Sequence, residues 1–243
     1  MPVKGDLEYF RNIGSAGMDH ALNKPWSDDA RGGYLMELGA VMGLLPPGGK
    51  LLDLGCGTGW TSYYFARSGY DVVGQDVAPE AVTEASAMAE VKGMDNLRFV
   101  LSDYEGLDFH EMFDTAVFFD SLHHSLDEKK AVASAYRALK KGGVLITSEP
   151  GYGHEKRSQE TIRKYGVTER DMPPARIIAA GREAGFTSFE VYPQAHHLFT
   201  ALYMQSLSPR MRKLLDLPGA RSLAALFTIL FYRRRAGIVL LRK

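Results

Sequence analysis

The stretch Leu51-Leu52-Asp53-Leu54-Gly55-Cys56-Gly57-Thr58-Gly59-Trp60 constrains this chain more than any other. Apolar residues around one carboxylate read as a buried strand, and that strand runs straight into a loop with glycine at alternate positions. Thr61 to Arg67 then opens a helix, giving a strand, a glycine loop and a helix in succession. Glycine tolerates the turn's backbone angles and lets a ligand lie against bare main chain. Such a loop at a helix N-terminus suits a nucleotide-like cofactor. The dinucleotide fingerprint needs glycine at 55, 57 and 60, but position 60 is Trp. The phosphate loop fails as well, because no Gly-Lys-Ser/Thr follows. Asp53, just before the loop, would repel a pyrophosphate and suits a cation.

Asp-x-Gly-x-Gly-x-Gly at 53–59 resembles the signature of class I S-adenosylmethionine-dependent methyltransferases of the small-molecule type. Leu139-Lys140-Lys141-Gly142-Gly143-Val144-Leu145 resembles a second family signature, Leu-Lys-Pro-Gly-Gly, with Lys for Pro. The resemblance covers about residues 50–192 and the final strand. It implies that S-adenosylmethionine is bound, and S-adenosylhomocysteine released, by Asp53, Gly55, Cys56, Gly57, Gly59, Asp76, Val77, Asp103, Tyr104 and Phe119. Asp76, about twenty residues past the loop, suits ribose hydroxyls. By the family pattern, Asp103 meets the adenine amino group and Tyr104 flanks the ring.

The alternation of elements points the same way. Strands are expected at Asp71–Gln75, Leu97–Leu101, Phe113–Phe119, Val144–Ser148, Phe186–Tyr192 and Gly237–Leu241. Helices are expected from Thr61, from Pro79 to about Lys92, from Asp127 to Lys140, and from Pro173-Pro174 to about Gly185. Strands alternating with helices at this spacing predict an α/β fold: a doubly wound, Rossmann-like sheet with helices on both faces. The resemblance adds seven strands, mostly parallel, with the last antiparallel.

Residues 1–49 precede the first strand and carry a short helix at Asp6–Asn12 and a longer one starting at Ser27 or Asp28 and running to about Gly43. By resemblance they form a helical lid, in which Tyr9, Trp26 and Tyr34 are candidates to touch cofactor or acceptor; packing is the plainer role for each. By the same resemblance residues 50–243 are the S-adenosylmethionine-binding domain, with a polar, Gly-rich, non-periodic stretch after His154 to about Asp171 and a helical, apolar and basic insertion at about 193–236. Within that insertion Ser222–Tyr232 is strongly apolar and precedes Arg233-Arg234-Arg235. Eleven residues are too few to span a bilayer. A buried helix, an interfacial helix touching membrane or lipid through 222–235, and a dimer interface all fit.

Ligands in open α/β sheets bind beyond the carboxyl ends of the strands. Asp120, His123 and His124 follow the fourth strand, and Glu149 and His154 follow the fifth. Asp120 and His124 are four apart, so one helical turn would pair them. His124 is the first candidate base for an acceptor hydroxyl, and His123 the second. Glu149 and His154 face the acceptor. Glu149, His123 and His154 follow no metal-site spacing, and no metal is assigned.

Twenty-nine basic residues balance twenty-nine acidic ones, so no net field recruits nucleic acid. The single Cys56 excludes an intrachain disulfide framework, and the N-terminus lacks the apolar core of a signal peptide. A cytoplasmic enzyme methylating the hydroxyl of a sugar, lipid-linked molecule or secondary metabolite is the expectation. The alternatives are a non-catalytic binding protein of the same fold, a protein methyltransferase, and aminopropyl transfer.

Overall fold

The computed structural model describes residues 3–203 and 208–243. Its centre is a sheet of seven strands: β1 (Lys50–Leu54), β2 (Asp71–Asp76), β3 (Leu97–Leu101), β4 (Phe113–Phe119), β5 (Leu139–Ser148), β6 (Ser188–Pro193) and β7 (Gly237–Arg242). Their spatial order is β3-β2-β1-β4-β5-β7-β6. β1 runs parallel to β2 and β4, β2 to β3, and β4 to β5, while β7 is antiparallel to both β5 and β6. Four helices precede the sheet: α1 (Lys4–Leu7), α2 (Tyr9–Asn12), α3 (Gly14–Leu22) and α4 (Arg31–Leu44). Between strands come α5 (Trp60–Arg67), α6 (Pro79–Val91), α7 (Glu128–Ala138), α8 (His154–Arg157), α9 (Gln159–Tyr165) and α10 (Pro174–Ala184). Between β6 and β7 lie α11 (Ala195–Tyr203), α12 (Pro209–Leu215) and α13 (Ala220–Leu230).

Alternation along the strands builds two cores. Leu52, Val73, Ala116 and Leu145 face one side with Val132 of α7 and Ile177 of α10. Leu51, Val72, Val117 and Ile146 face the other, with Val41 of α4, Phe65 of α5 and Ala89 of α6. Successive strand residues point to opposite faces, so an unbroken apolar strand must be covered on both sides. Each such side chain contributes about 1.5–3 kcal/mol on burial. The doubly wound architecture follows.

Several boundaries differ from expectation for local reasons. Residues 4–22 form three short helices, where one helix, at Asp6–Asn12, is expected. α4 starts at Arg31 because Asp28 accepts the N–H of Ala30 (2.7 Å) and the Ser27 hydroxyl donates to the His20 carbonyl (2.6 Å), leaving neither to cap the helix. Asp127 does cap α7, accepting the N–H groups of Lys129 and Lys130. β5 starts at Leu139, before Val144: Leu139 pairs with Phe113, the register then shifts, and Gly142 takes a φ of 79° in the irregular stretch. The polar stretch up to Asp171 holds α8 and α9, too short to show a helical period in sequence.

The insertion is helical, but the buried-helix reading of 222–232 does not hold. No residue of α13 is buried. Leu223, Leu226, Phe227, Leu230 and Phe231 form one exposed stripe, with Leu223 68% and Phe227 58% accessible. Ala224, Ala225 and Thr228 supply the half-buried side. Among the described residues no single helix is long and apolar enough to cross a membrane; α12 and the segment Ala220–Arg234 are bent by 97° to each other.

Candidate active site

The glycine loop sits at the carboxyl end of β1. Gly55 and Cys56 donate their N–H groups to the Gln75 carbonyl (2.8 and 2.9 Å). Gly57 donates to Asp76 Oδ2 (2.7 Å), and Ala78 donates to Asp76 Oδ1 (2.9 Å). Burial lifts the Asp76 carboxyl above its usual range against those bonds. A Cβ at Gly55 would meet Ser121 at 2.6 Å, whereas at Gly57 only the Phe10 ring (3.6 Å) lies within reach. The loop therefore offers bare main chain to a cavity of 760 Å³.

Gly55, Cys56, Gly57, Asp76, Val77, Asp103, Tyr104 and Phe119 all line that cavity, as do Tyr9, Tyr34, Asp120, His123, His124 and His154. The Tyr104 hydroxyl donates to the Ser121 carbonyl, fixing the ring (3.1 Å). Four expected site residues are elsewhere. Asp53 is 1% exposed behind the loop, where Thr61 and Ser62 hydroxyls donate to its Oδ2 (2.7 and 2.6 Å). Its Oδ1 has no partner among the described residues, and burial raises its pKa to about 6. Gly59, with φ 83°, would drive a Cβ into the Phe99 ring at 2.6 Å, so its role is close packing of the helix on the sheet. Trp26 is 61% exposed and outside the cavity. Glu149 is buried beneath the cavity wall rather than facing an acceptor.

Glu149 nevertheless organises the far side of the cleft. From the end of β5 it accepts the N–H groups of Ser121, Leu122 and His123, and His123 Nδ1 donates to it at 2.8 Å. The expected pairing of Asp120 with His124 does not form. Residues 122–124 make a tight 3₁₀ turn instead of an α-helical one, and Asp120, with φ 54°, has its Oδ1 4.0 Å from His123 Nδ1. His124 Nδ1 meets the Thr168 carbonyl at 2.6 Å; a carbonyl only accepts, so Nδ1 carries the hydrogen and Nε2 the lone pair. The His123 and His124 rings lie 4.1 Å apart.

Sequence reading missed Glu169. Its Oε2 lies 2.6 Å from His154 Nε2 and 3.5 Å from His123 Nε2. It sits in a loop pinned by Arg170, which donates to the Ser125 and Leu126 carbonyls and to Glu128, and by Asp171, which accepts the N–H groups of Gly153 and Glu155. Asp6 was missed too; it accepts the N–H and hydroxyl of Thr168 (3.0 and 2.9 Å). The one available signal was the acidic-basic run Glu169-Arg170-Asp171 in an otherwise featureless stretch. Burial alone would lower the pKa of His123, but the hydrogen bond and charge of Glu149, with Asp120 and Glu169, lift it to about 9. Burial and the His123 charge push His124 down to about 4.

Residues 45–185, more than half of the chain, match a family described as a methyltransferase domain. An uncharacterized methyltransferase YcgJ of Bacillus subtilis is 36% identical over 98 residues, 40% of this chain and 39% of that protein. A ubiquinone biosynthesis O-methyltransferase of Psychrobacter cryohalolentis is 32% identical over 151 residues, 58% of each chain. The matches thus span about half the length of these relatives. A solved S-adenosylmethionine-dependent methyltransferase of Thermotoga maritima, described as a possible histamine N-methyltransferase, superposes with a TM-score of 0.64 at 20% identity over 99% of both chains, a likeness of fold.

Proposed function

The chain belongs to the S-adenosylmethionine-dependent methyltransferase family, and from that premise we propose that it methylates a hydroxyl of a small-molecule acceptor. When bound, S-adenosylmethionine supplies an electrophilic methyl group. The main chain of Gly55, Cys56 and Gly57, with Asp76, Val77, Asp103, Tyr104 and Phe119, would hold it. The loop's bare backbone and the 760 Å³ cavity fit such a ligand together with an acceptor. The observation that carries the reading is the His124 imidazole, whose Nε2 lone pair is fixed by the Nδ1 bond to Thr168. That nitrogen, kept neutral by burial and by the His123 charge, takes the proton from the acceptor oxygen as the new bond to the methyl carbon makes that oxygen acidic, and Glu149 holds the neighbouring His123 ring in place. Positioning of the acceptor supplies much of the remaining rate. The O-methyltransferase among the relatives supports a hydroxyl acceptor.

Calorimetric titration with S-adenosylhomocysteine tests this first. Micromolar binding should weaken about tenfold, about 1.4 kcal/mol, in Asp76→Ala and be unchanged in His124→Ala, while His124→Ala lowers turnover about 10²–10⁴-fold. No binding to the unaltered protein would remove the reading.

The α12–α13 excursion supports a lipid-linked acceptor at an anionic membrane surface. From 201 to 243 nine basic residues face one acidic residue, Asp216. Exposed Arg234 and Arg235 follow directly on the apolar stripe of α13, a pairing that suits an interfacial helix on anionic lipid. A smaller cavity of 290 Å³ touches Tyr232 and Ala236 at the base of this excursion and shares Tyr34, Phe119, Asp120 and His154 with the larger one. The protein should co-sediment with phosphatidylglycerol vesicles and not with phosphatidylcholine vesicles. Leu223→Asp with Phe227→Asp should abolish this; binding that survives the pair would exclude α13 as the contact.

A further inference from the structure

Three ligand-capable groups converge on one point of the cavity wall. One ligand atom each from His123, His124 and Glu169 lie within 4.8 Å of one another. The rest of the arrangement matches what metal-binding imidazoles require. His123 Nδ1 is committed to the Glu149 carboxylate and His124 Nδ1 to the Thr168 carbonyl, so both rings are held with Nε2 as the remaining nitrogen; at His123, which the surrounding carboxylates keep charged, a bound ion would take the place of the Nε2 proton. Metal-bound histidines almost always donate their second N–H to a carboxylate or a carbonyl in this way. Both outer partners are themselves anchored: Glu149 by three backbone N–H groups, and Thr168 by Asp6. The Glu169 loop is fixed by Arg170 and Asp171. All three groups line the cavity.

We propose that His123 Nε2, His124 Nε2 and the Glu169 carboxylate form a site for one divalent transition-metal ion, Zn²⁺ or Fe²⁺, with its open face toward the acceptor oxygen. Two imidazoles and one carboxylate favour these ions over Mg²⁺, which prefers oxygen. Bonds of ~2.1 Å to three ligands on one face of an ion put the ligand atoms roughly 3.0–3.4 Å apart, so atoms that now lie within 4.8 Å of one another close by up to about 1.4–1.8 Å on binding, through rotation of the side chains. His154, now on Glu169 Oε2 at 2.6 Å, then orients the carboxylate from outside. This rests on reading the cleft as an acceptor site. In the metal-bound form His124 is a ligand instead of a base. A bound ion there would make an acceptor hydroxyl more acidic; Asp120, on the same cavity wall, would take its proton, and as the oxygen–methyl bond formed the methyl–sulfur bond would break, with S-adenosylhomocysteine leaving.

The test uses the full chain, stripped with chelator and titrated with Co²⁺, Zn²⁺ and Mg²⁺, reading visible Co²⁺ absorption and its displacement by Zn²⁺. One equivalent should bind, Mg²⁺ should not compete, and Glu169→Gln and His124→Ala should each weaken binding by more than ~100-fold, the upper end of outer-sphere effects. His110→Ala, on an exposed loop, should change nothing. S-adenosylhomocysteine titration of every variant reports folding and the cofactor site separately. No stoichiometric uptake, or uptake equal in all variants, would overturn the metal site while leaving the methyltransferase reading intact. Metal uptake without S-adenosylhomocysteine binding would overturn the acceptor-activating role.

Discussion

The two sides of the cleft are made in different ways. The glycine-loop side is largely main chain from short contiguous runs, 55–57, 76–77 and 103–104, each at the end of a parallel strand. The opposite side is side chain, assembled from Asp6, His123, His154 and Glu169 over the buried Glu149, residues that come from four distant stretches. Main-chain recognition demands particular residues at fixed spacing, because glycine is needed where the backbone must turn or pass close. Side-chain recognition demands only that the fold bring the right groups together. The first leaves a motif in the sequence and the second leaves scattered polar residues.

The largest expected effect strikes the backbone side. In Gly59→Val a β-branched side chain would adopt a φ of 83° and enter the Phe99 ring. Left-handed strain of about 1–2 kcal/mol adds to overpacking of about 1–3 kcal/mol. Urea denaturation should register a loss of about 2–5 kcal/mol, with S-adenosylhomocysteine binding lost in parallel. Unchanged stability would mean that Gly59 acts on the ligand and not on the packing of helix against sheet.

Asp53 probes the same side more finely, because it belongs to the motif yet lies behind the loop. Its pKa in the fold, about 6, exceeds the ordinary 3.8. The native state therefore holds a proton between these values that the unfolded chain has released, so this group's contribution to stability falls as pH rises from about 4 to about 6. The two-unit difference is about 3 kcal/mol. Asp53→Asn should remove about that much of the difference in stability between pH 4 and pH 7. At neutral pH its net gain should be smaller, since the new amide N–H groups meet the position where Oδ1 now has no partner. A pH dependence identical to that of the unaltered protein would transfer the effect to Asp76, whose carboxyl is also raised by burial.

The contrast explains what was legible in the sequence. Apolar patterning placed six strands to within two residues and β5 only from Val144 onward, five residues after its start, since Leu51 and Leu52 must reach opposite cores whatever else the chain does. The loop gave Gly55, Gly57 and Asp76 for the same reason. His123 and His124 were legible as strand-end residues, but their partners were not. Four-residue spacing suggested Asp120 for His124, and the 3₁₀ turn defeats it; Glu149 and Thr168 are 26 and 44 residues away. The start of α4 failed because Ser27 and Asp28 bond elsewhere. A buried helix, an interfacial helix and a dimer interface all fitted α13 because its composition is apolar, and composition does not say whether a partner face exists within the chain.

The smallest expected effect lies where the two sides meet. Tyr9, Phe10 and Ile13 of the N-terminal helices wall the cavity, and the Thr58 hydroxyl ties the glycine loop to α3 by donating to the Ala21 carbonyl at 2.8 Å. Thr58 is 7% exposed, so the bond is shielded from water. Thr58→Val keeps the shape and removes the donor, which should cost about 1 kcal/mol. If residues 1–49 act as a lid, opening passes through this bond. The variant should then speed amide exchange in α3 and raise both association and dissociation rates of S-adenosylhomocysteine, with little change in their ratio. Unchanged exchange in α3 together with unchanged ligand rates would make α1–α3 a fixed wall of the cavity and not a lid.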